Sequence, residues 1–441
     1  MDKKAVDPYL KVYADRSVYH AGKVRSPELF LEGPLSNEAK TRAKQVRAAF
    51  ENGFLDNLIS ELLEGEFSVD KEQISTEASV CVDELVTSLT SEVGRALIGL
   101  SVMQLCIKAI TKEQNIRLHK GSASRKSFSW IEGISMRTLD KKYVTPTLRK
   151  YGLLRLNADG FMMTRSLAEN YPYTPLYKAK IRGARTSWLT LVEEIERENT
   201  SALETLKMLI ARLINAALEF QQEADRLVEK SQEVVSQYQT RSDTRSIVFE
   251  HIDKSDYAAR LLEISMHALA QAAVTSGAFG DMEIKPLSQM RSANKKHGNV
   301  ADIELMENGH IVEAWDAKYG KSYLRDELEE ILEKLRKHDF IEIVGFVTSV
   351  PVEKVLEITS RINEIEQLYS VRVSVLTYQN WIDRIYQRVL DTNISSESEL
   401  SQSWLMTYCK YIGQKRRDIA PIDEPCLEWV RSFRRILEKR A

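Results

Sequence analysis

Apolar residues recur at helical spacing over residues 41–118, after a stretch of mixed polarity holding Pro8, Pro27 and Pro34 that reads as an irregular or loosely docked arm. Within that region Val93–Ile110 is apolar on nearly every face, through Leu97, Ile98, Leu100, Val102, Met103, Leu105 and Ile107. Such a helix belongs inside a core. No unbroken apolar run of about 18 residues occurs, so a membrane span is not expected. Two more helices are expected over residues 188–197 and 202–238. The second carries a broad apolar face that fades beyond Gln221, and it reads as a strut or a dimer-forming element.

The pattern changes over residues 245–390. Residues 257–271 keep helical spacing without a breaker. Short β-prone runs follow: Met282-Glu283-Ile284-Lys285, Val300-Ala301-Asp302-Ile303-Glu304-Leu305, and Ile311 to Lys318. Between the last two lies Glu307-Asn308-Gly309, and Asn-Gly between β-prone runs is a hairpin cue because a tight turn needs positive φ at both positions. An amphipathic helix is expected over 323–337, a buried strand over 341–347, a helix over 352–369, a strand over 371–376 and a closing helix over 381–390. Strand alternation puts Asp316 and Lys318 on one face, and the paired strand can bring Asp302 beside them. Two carboxylates and an ammonium at a hairpin can hold a divalent cation and orient a water. The alternative is an ordinary amphipathic hairpin with outward charges.

Asp302 followed by Asp316-Ala317-Lys318, in the order helix, three strands, helix, strand, resembles the PD-(D/E)XK nuclease superfamily, to which most type II restriction endonucleases belong. The resemblance covers about a third of the chain. Two departures are visible: Ala301 stands where the family has proline, and the second acid is Asp316 rather than glutamate. The resemblance implies an α/β core, a mixed sheet flanked by helices, that hydrolyses DNA phosphodiesters with Mg2+. It implies Asp302, Asp316 and the Ala317 backbone carbonyl as metal ligands, and Lys318 as the group that orients or helps deprotonate the attacking water. A carboxylate from the leading helix often completes such a site, here Glu263 or Glu250.

Charge is distributed unevenly. From Lys120 to Arg185 there are 14 Lys and Arg against 4 Asp and Glu, whereas the whole chain carries −2. A basic block in an otherwise acidic protein suits phosphate, or is a lysine-rich solvated face. Inside it, Ser135 or Thr138 can cap a short helix, Thr145-Pro146 can open another, and Gly152 can end it. Residues 153–156, 157–160 and 161–165 then read as strand, turn and strand. This layout resembles a winged helix, with Arg149 and Lys150 as groove contacts and Arg155 and Arg165 flanking the wing.

Further DNA contacts are expected from Gln289, Arg291, Asn294, Lys295 and Lys296, in a polar segment that is either a groove-reading loop or a solvated one. Lys321 and Arg325, just past Lys318, suit phosphate. No Gly-rich loop ending in G-K-[ST] is present, which argues against an NTP-driven motor. The N-terminus lacks a secretory pattern, and four scattered cysteines form no C-x-x-C pair, so a reduced, cytoplasmic setting is expected.

The expected organisation is a helical region over 1–118, a winged-helix-like module over 119–185, long helices over 186–240, the nuclease domain over 241–392 and a helical tail over 393–441. The expected activity is that of a type II restriction enzyme acting on double-stranded DNA as a homodimer, with a cognate DNA methyltransferase as a separate protein; the alternatives are another nuclease of the superfamily, acting in repair or on methylated DNA, and a non-catalytic DNA-binding protein with a degenerate nuclease fold.

Overall fold

Three short antiparallel strands occupy the segment that the sequence led us to expect as an irregular arm: β1 (Tyr9–Val12), β2 (Arg16–His20) and β3 (Glu28–Leu31), in the order β1-β2-β3. Pro8 and Pro27 stand immediately before β1 and β3, where a missing N–H costs no ladder bond. Tyr19 and Phe30 bury one face of this sheet against Leu118 and Trp130. The computed structural model describes residues 7–22, 26–65, 68–154, 156, 159–287, 299–338, 341–415 and 425–440.

Four helices follow: α1 (Asn37–Glu51), α2 (Phe54–Glu64), α3 (Thr76–Thr87) and α4 (Glu92–Ile110). Ser36 and Ser75 start α1 and α3 by accepting the N–H of Ala39 and Ala78. Helix α4 is, among the described residues, the one helix long and apolar enough by composition to cross a membrane. Most of it is buried in this unit's core, as its all-round apolar surface predicts.

The winged-helix expectation needs correction. Its two short helices exist, as α5 (Met136–Leu139) and α6 (Thr145–Lys150), joined by a π-turn. Its hairpin does not: Phe161–Met163 and Arg165–Leu167 are 3-10 turns, and the described part of 153–156 is not strand. The reason lies in Asp140. This buried carboxylate accepts the Met162 N–H at 2.8 Å and the Thr145 hydroxyl at 2.5 Å, so the backbone at Met162 bonds a side chain instead of a strand partner. Phe161 and Met162 are both buried, which no strand with one solvent face permits. Gly160, at φ 94°, lets the chain pass so close that a Cβ there would lie 2.3 Å from the Asp140 carboxylate.

Helix α7 (Arg185–Glu196) and the long α8 (Ala202–Val234) come next. The chain divides inside α8: the first unit runs to Glu219 and the second starts at Phe220. Trp188, Val192, Leu206 and Leu213 belong to the first core, whereas Phe220, Ala224 and Leu227 belong to the second.

In the second unit, α9 (Arg241–Asp253) and α10 (Ala258–Thr275) precede β4 (Glu283–Ile284), β5 (Ile303–Glu307), β6 (His310–Lys318), α11 (Arg325–Leu335), β7 (Ile343–Thr348), α12 (Val355–Tyr369), β8 (Arg372–Thr377) and α13 (Tyr378–Asp391). The five strands form one sheet in the order β4-β5-β6-β7-β8, antiparallel as far as β6 and parallel beyond it. Asn308 and Gly309 close the β5–β6 hairpin at φ 50° and 82°, the conformation that Asn-Gly favours. Ile303, Leu305, Trp315 and Val347 pack with α10 and α13 on one face of the sheet. Ala314, Val344 and Phe346 pack with α11 and α12 on the other. Past residue 393, α14 (Glu397–Lys410) lies along α9 and α10, and α15 (Cys426–Arg440) packs on α9. Trp404, Tyr408, Trp429 and Phe433 are buried there, so this segment is core rather than an appended tail.

Candidate active site

Side chains of β6 alternate, which places Asp316 and Lys318 on the face of Ala314 and turns Glu313 and Trp315 the other way. Ile303 pairs with Trp315, so Asp302, one residue before β5, stands across from Asp316. The Asp302 Oδ2 accepts the Ala317 N–H at 3.0 Å. The Lys318 Nζ lies 2.6 Å from Asp316 Oδ2. Three residues from adjoining strands therefore meet in one half-buried spot, as the alternation predicts.

Two carboxyls opposite one another resist double ionisation. Burial, then the charges of Glu263 and Asp316, hold the Asp302 carboxyl well above the usual carboxylate range. Burial also pushes Asp316 upward, but Lys318 and the hydrogen bond from Asp302 outweigh it, and Asp316 stays below its ordinary value. Lys318 is half-buried, which lowers its affinity for a proton, yet Asp316 and Asp302 more than restore it. The two carboxyls therefore titrate as a pair, Asp302 being the one that its surroundings favour for the proton, and the carboxylates raise the proton affinity of Lys318.

Of the two alternatives for a helical carboxylate, Glu263 is the one whose charge reaches Asp302. It is buried on α10, and its Oε2 accepts from Arg260 at 2.6 Å. Glu250, on α9, pairs with Lys254 and Arg440. Among the described residues no three Asp, Glu, His or Cys are already gathered as a cage for a metal ion. The donors nevertheless fit magnesium: they are carboxylate oxygens, and Asp302 is set among negative charges that a divalent cation would neutralise.

Sequence reasoning missed Glu304. It is buried on β5, where its Oε1 accepts the N–H groups of Val300 at 2.5 Å and Ala301 at 3.2 Å, and its Oε2 meets Lys285 Nζ at 2.6 Å. The turn that presents Asp302 is thereby braced. The signal was an acid inside an apolar strand run, the same signal that drew attention to Asp302. On α11, Glu330 and Lys334 lie near enough to act on Lys318 and Asp316 respectively, and were also missed.

The expected DNA contacts fare unevenly. Lys321 is ion-paired with Glu327, and Arg325 with Glu329 at 3.1 Å. In the first unit, Lys150 is paired with Asp56 at 2.7 Å and Arg149 donates to the Leu156 carbonyl. Arg165 is exposed and lines a cleft. Arg155, Gln289, Arg291, Asn294, Lys295 and Lys296 lie outside the described residues. No protein-family model and no curated protein matches this chain.

Proposed function

We propose that this protein is a metal-dependent endonuclease that hydrolyses phosphodiester bonds of double-stranded DNA, with Asp302, Asp316 and Lys318 as its centre and Glu263 at its edge. The carrying observation is the meeting of Asp302 with Asp316 across β5 and β6, with the Lys318 ammonium 2.6 Å from Asp316. Asp302, Asp316 and the Ala317 carbonyl would hold Mg2+, which supplies Lewis-acid polarisation of a phosphate and a more acidic bound water. Lys318, kept cationic by its neighbours, offsets the charge that develops on the phosphoryl oxygens and holds the attacking water in place. Glu304 and Lys285 keep the Asp302 turn in register. Cutting both strands of a duplex calls for two such centres, hence a homodimer. Cleavage at one sequence, as by a type II restriction enzyme, calls for a methyltransferase that protects the host's own copies.

The test is incubation of supercoiled plasmid with the full chain, with Mg2+ or with EDTA. Discrete fragments are expected with Mg2+ alone, and none from Asp302→Asn or Asp316→Asn. Lys318→Ala should cut roughly 100- to 1000-fold more slowly while binding DNA nearly as well. Retained DNA binding without Mg2+-dependent cleavage by the unsubstituted chain would replace this reading with that of a non-catalytic DNA-binding protein.

A further inference from the structure

The first unit contains a cleft of about 640 Å3, within the size range of small-ligand sites. Its walls include Tyr13 from the β1–β2 turn, Lys120 and Phe128 from the stretch before α5, Arg137 on α5, and Arg165 from the segment that forms 3-10 turns instead of a wing. None of these residues takes part in the hydrolytic centre.

The cleft gathers three cations, Lys120, Arg137 and Arg165, against two carboxylates, Glu32 and Glu169. Among the described residues, none of Lys120, Arg137 and Arg165 forms an ion pair with a carboxylate. Arg137 donates to the Met162 carbonyl at 3.3 Å, and the Lys120 ammonium is held by the side-chain oxygen of Asn170. Burial and the adjacent Arg137 depress the Lys120 ammonium below its ordinary range and Glu169 offsets them only in part, so a bound anion would relieve it further.

Aromatic surface sits among these cations. Tyr13 is 45% exposed. Phe128 is braced edge-on by the buried Trp130, with ring centroids 5.1 Å apart, and Lys120 Nζ lies 5.6 Å from its centre. A site for phosphate alone has no use for such rings, whereas a site for a planar heterocycle carrying phosphate uses both. Glu32 and Glu169 also line the cleft and provide acceptors for an amino edge of a base.

We propose that this cleft binds one unstacked nucleotide, with its phosphate on Arg137 and Arg165, its base against Phe128 and Tyr13, and its amino edge toward Glu32 and Glu169. The nucleotide is either free or turned out of a duplex. Only the second source rests on the nuclease reading.

The test uses the full Asp316→Asn chain in EDTA and follows 2-aminopurine fluorescence with two probes, the free 2-aminopurine deoxynucleoside monophosphate and a duplex carrying 2-aminopurine opposite an abasic site. Saturable quenching of the free probe identifies a free nucleotide as ligand. A saturable change in emission of the duplex probe alone identifies an extruded one, because 2-aminopurine leaving the stack loses the quenching that its neighbours impose. Either supports the proposal if Arg137→Ala with Arg165→Ala, and separately Phe128→Leu, weakens binding roughly tenfold. Arg137 and Arg165 are exposed, and an unchanged melting temperature of the double variant checks that loss of the Arg137 bond to Met162 leaves the fold intact. Absence of a saturable change in emission with both probes, or a change undiminished in these variants, overturns the proposal. Failure of the nuclease reading would appear separately, as absent Mg2+-dependent cleavage by the unsubstituted chain.

Discussion

Asp302 and Asp140 are both acids in places that disfavour their charge, and they differ in what surrounds them. Asp302 faces the charges of Glu263 and Asp316, and the relief it gains from the Ala317 N–H does not offset them and its burial, a setting that a cation would reverse. Asp140 is held by Thr145 and Met162 and serves structure. Burial raises its carboxyl to about 6, against the partial relief of those bonds. Because the folded value exceeds the unfolded one of about 3.9, its stabilising contribution is complete below about pH 4 and is lost as pH rises through the folded value. That loss amounts to about 3 kcal/mol at most. Thermal unfolding of the wild type and Asp140→Asn, compared between about pH 4 and pH 7.5, should show the wild type losing ground as pH rises. Parallel curves would contradict this. The residues of the candidate centre were legible because each charge interrupts an apolar strand. Glu304 broke the same rule and was overlooked because a bracing acid and a functional acid look alike in sequence.

At the scale of elements, β6 is aimed by what lies beneath it. Trp315 is fully buried and donates its indole N–H to Glu313 at 2.6 Å. Gly345, its partner on β7, leaves room for the ring: a Cβ there would come within 2.1 Å of the indole. Gly345→Ala should therefore cost about 1–3 kcal/mol, read as a lower melting temperature by calorimetry, and should slow cleavage because Asp316 follows Trp315 directly. An unchanged melting temperature would contradict that packing argument. The strands β5 to β8 could be read from sequence since long apolar runs and the Asn-Gly turn agree with one another. The wing could not: local alternation over 161–165 was overridden by the Asp140 carboxylate, a contact 22 residues away along the chain. The N-terminal strands are only four or five residues each, too short for their alternation to rise above the pattern of a loop.

For the whole molecule, the chain divides within α8 into a mainly helical unit with a small sheet and an α/β unit with a five-stranded mixed sheet. Composition does not reveal that α7 belongs to the first core and α14 to the second. The account depends on Asp302 and Asp316 gripping a divalent cation. Calorimetric titration of the full chain with Mn2+ or Mg2+ tests this without requiring a known DNA sequence. Saturable binding that is lost in both Asp302→Asn and Asp316→Asn, but kept in Lys318→Ala, is the predicted result. No saturable binding by the unsubstituted chain, or binding that survives in both aspartate variants, would contradict it.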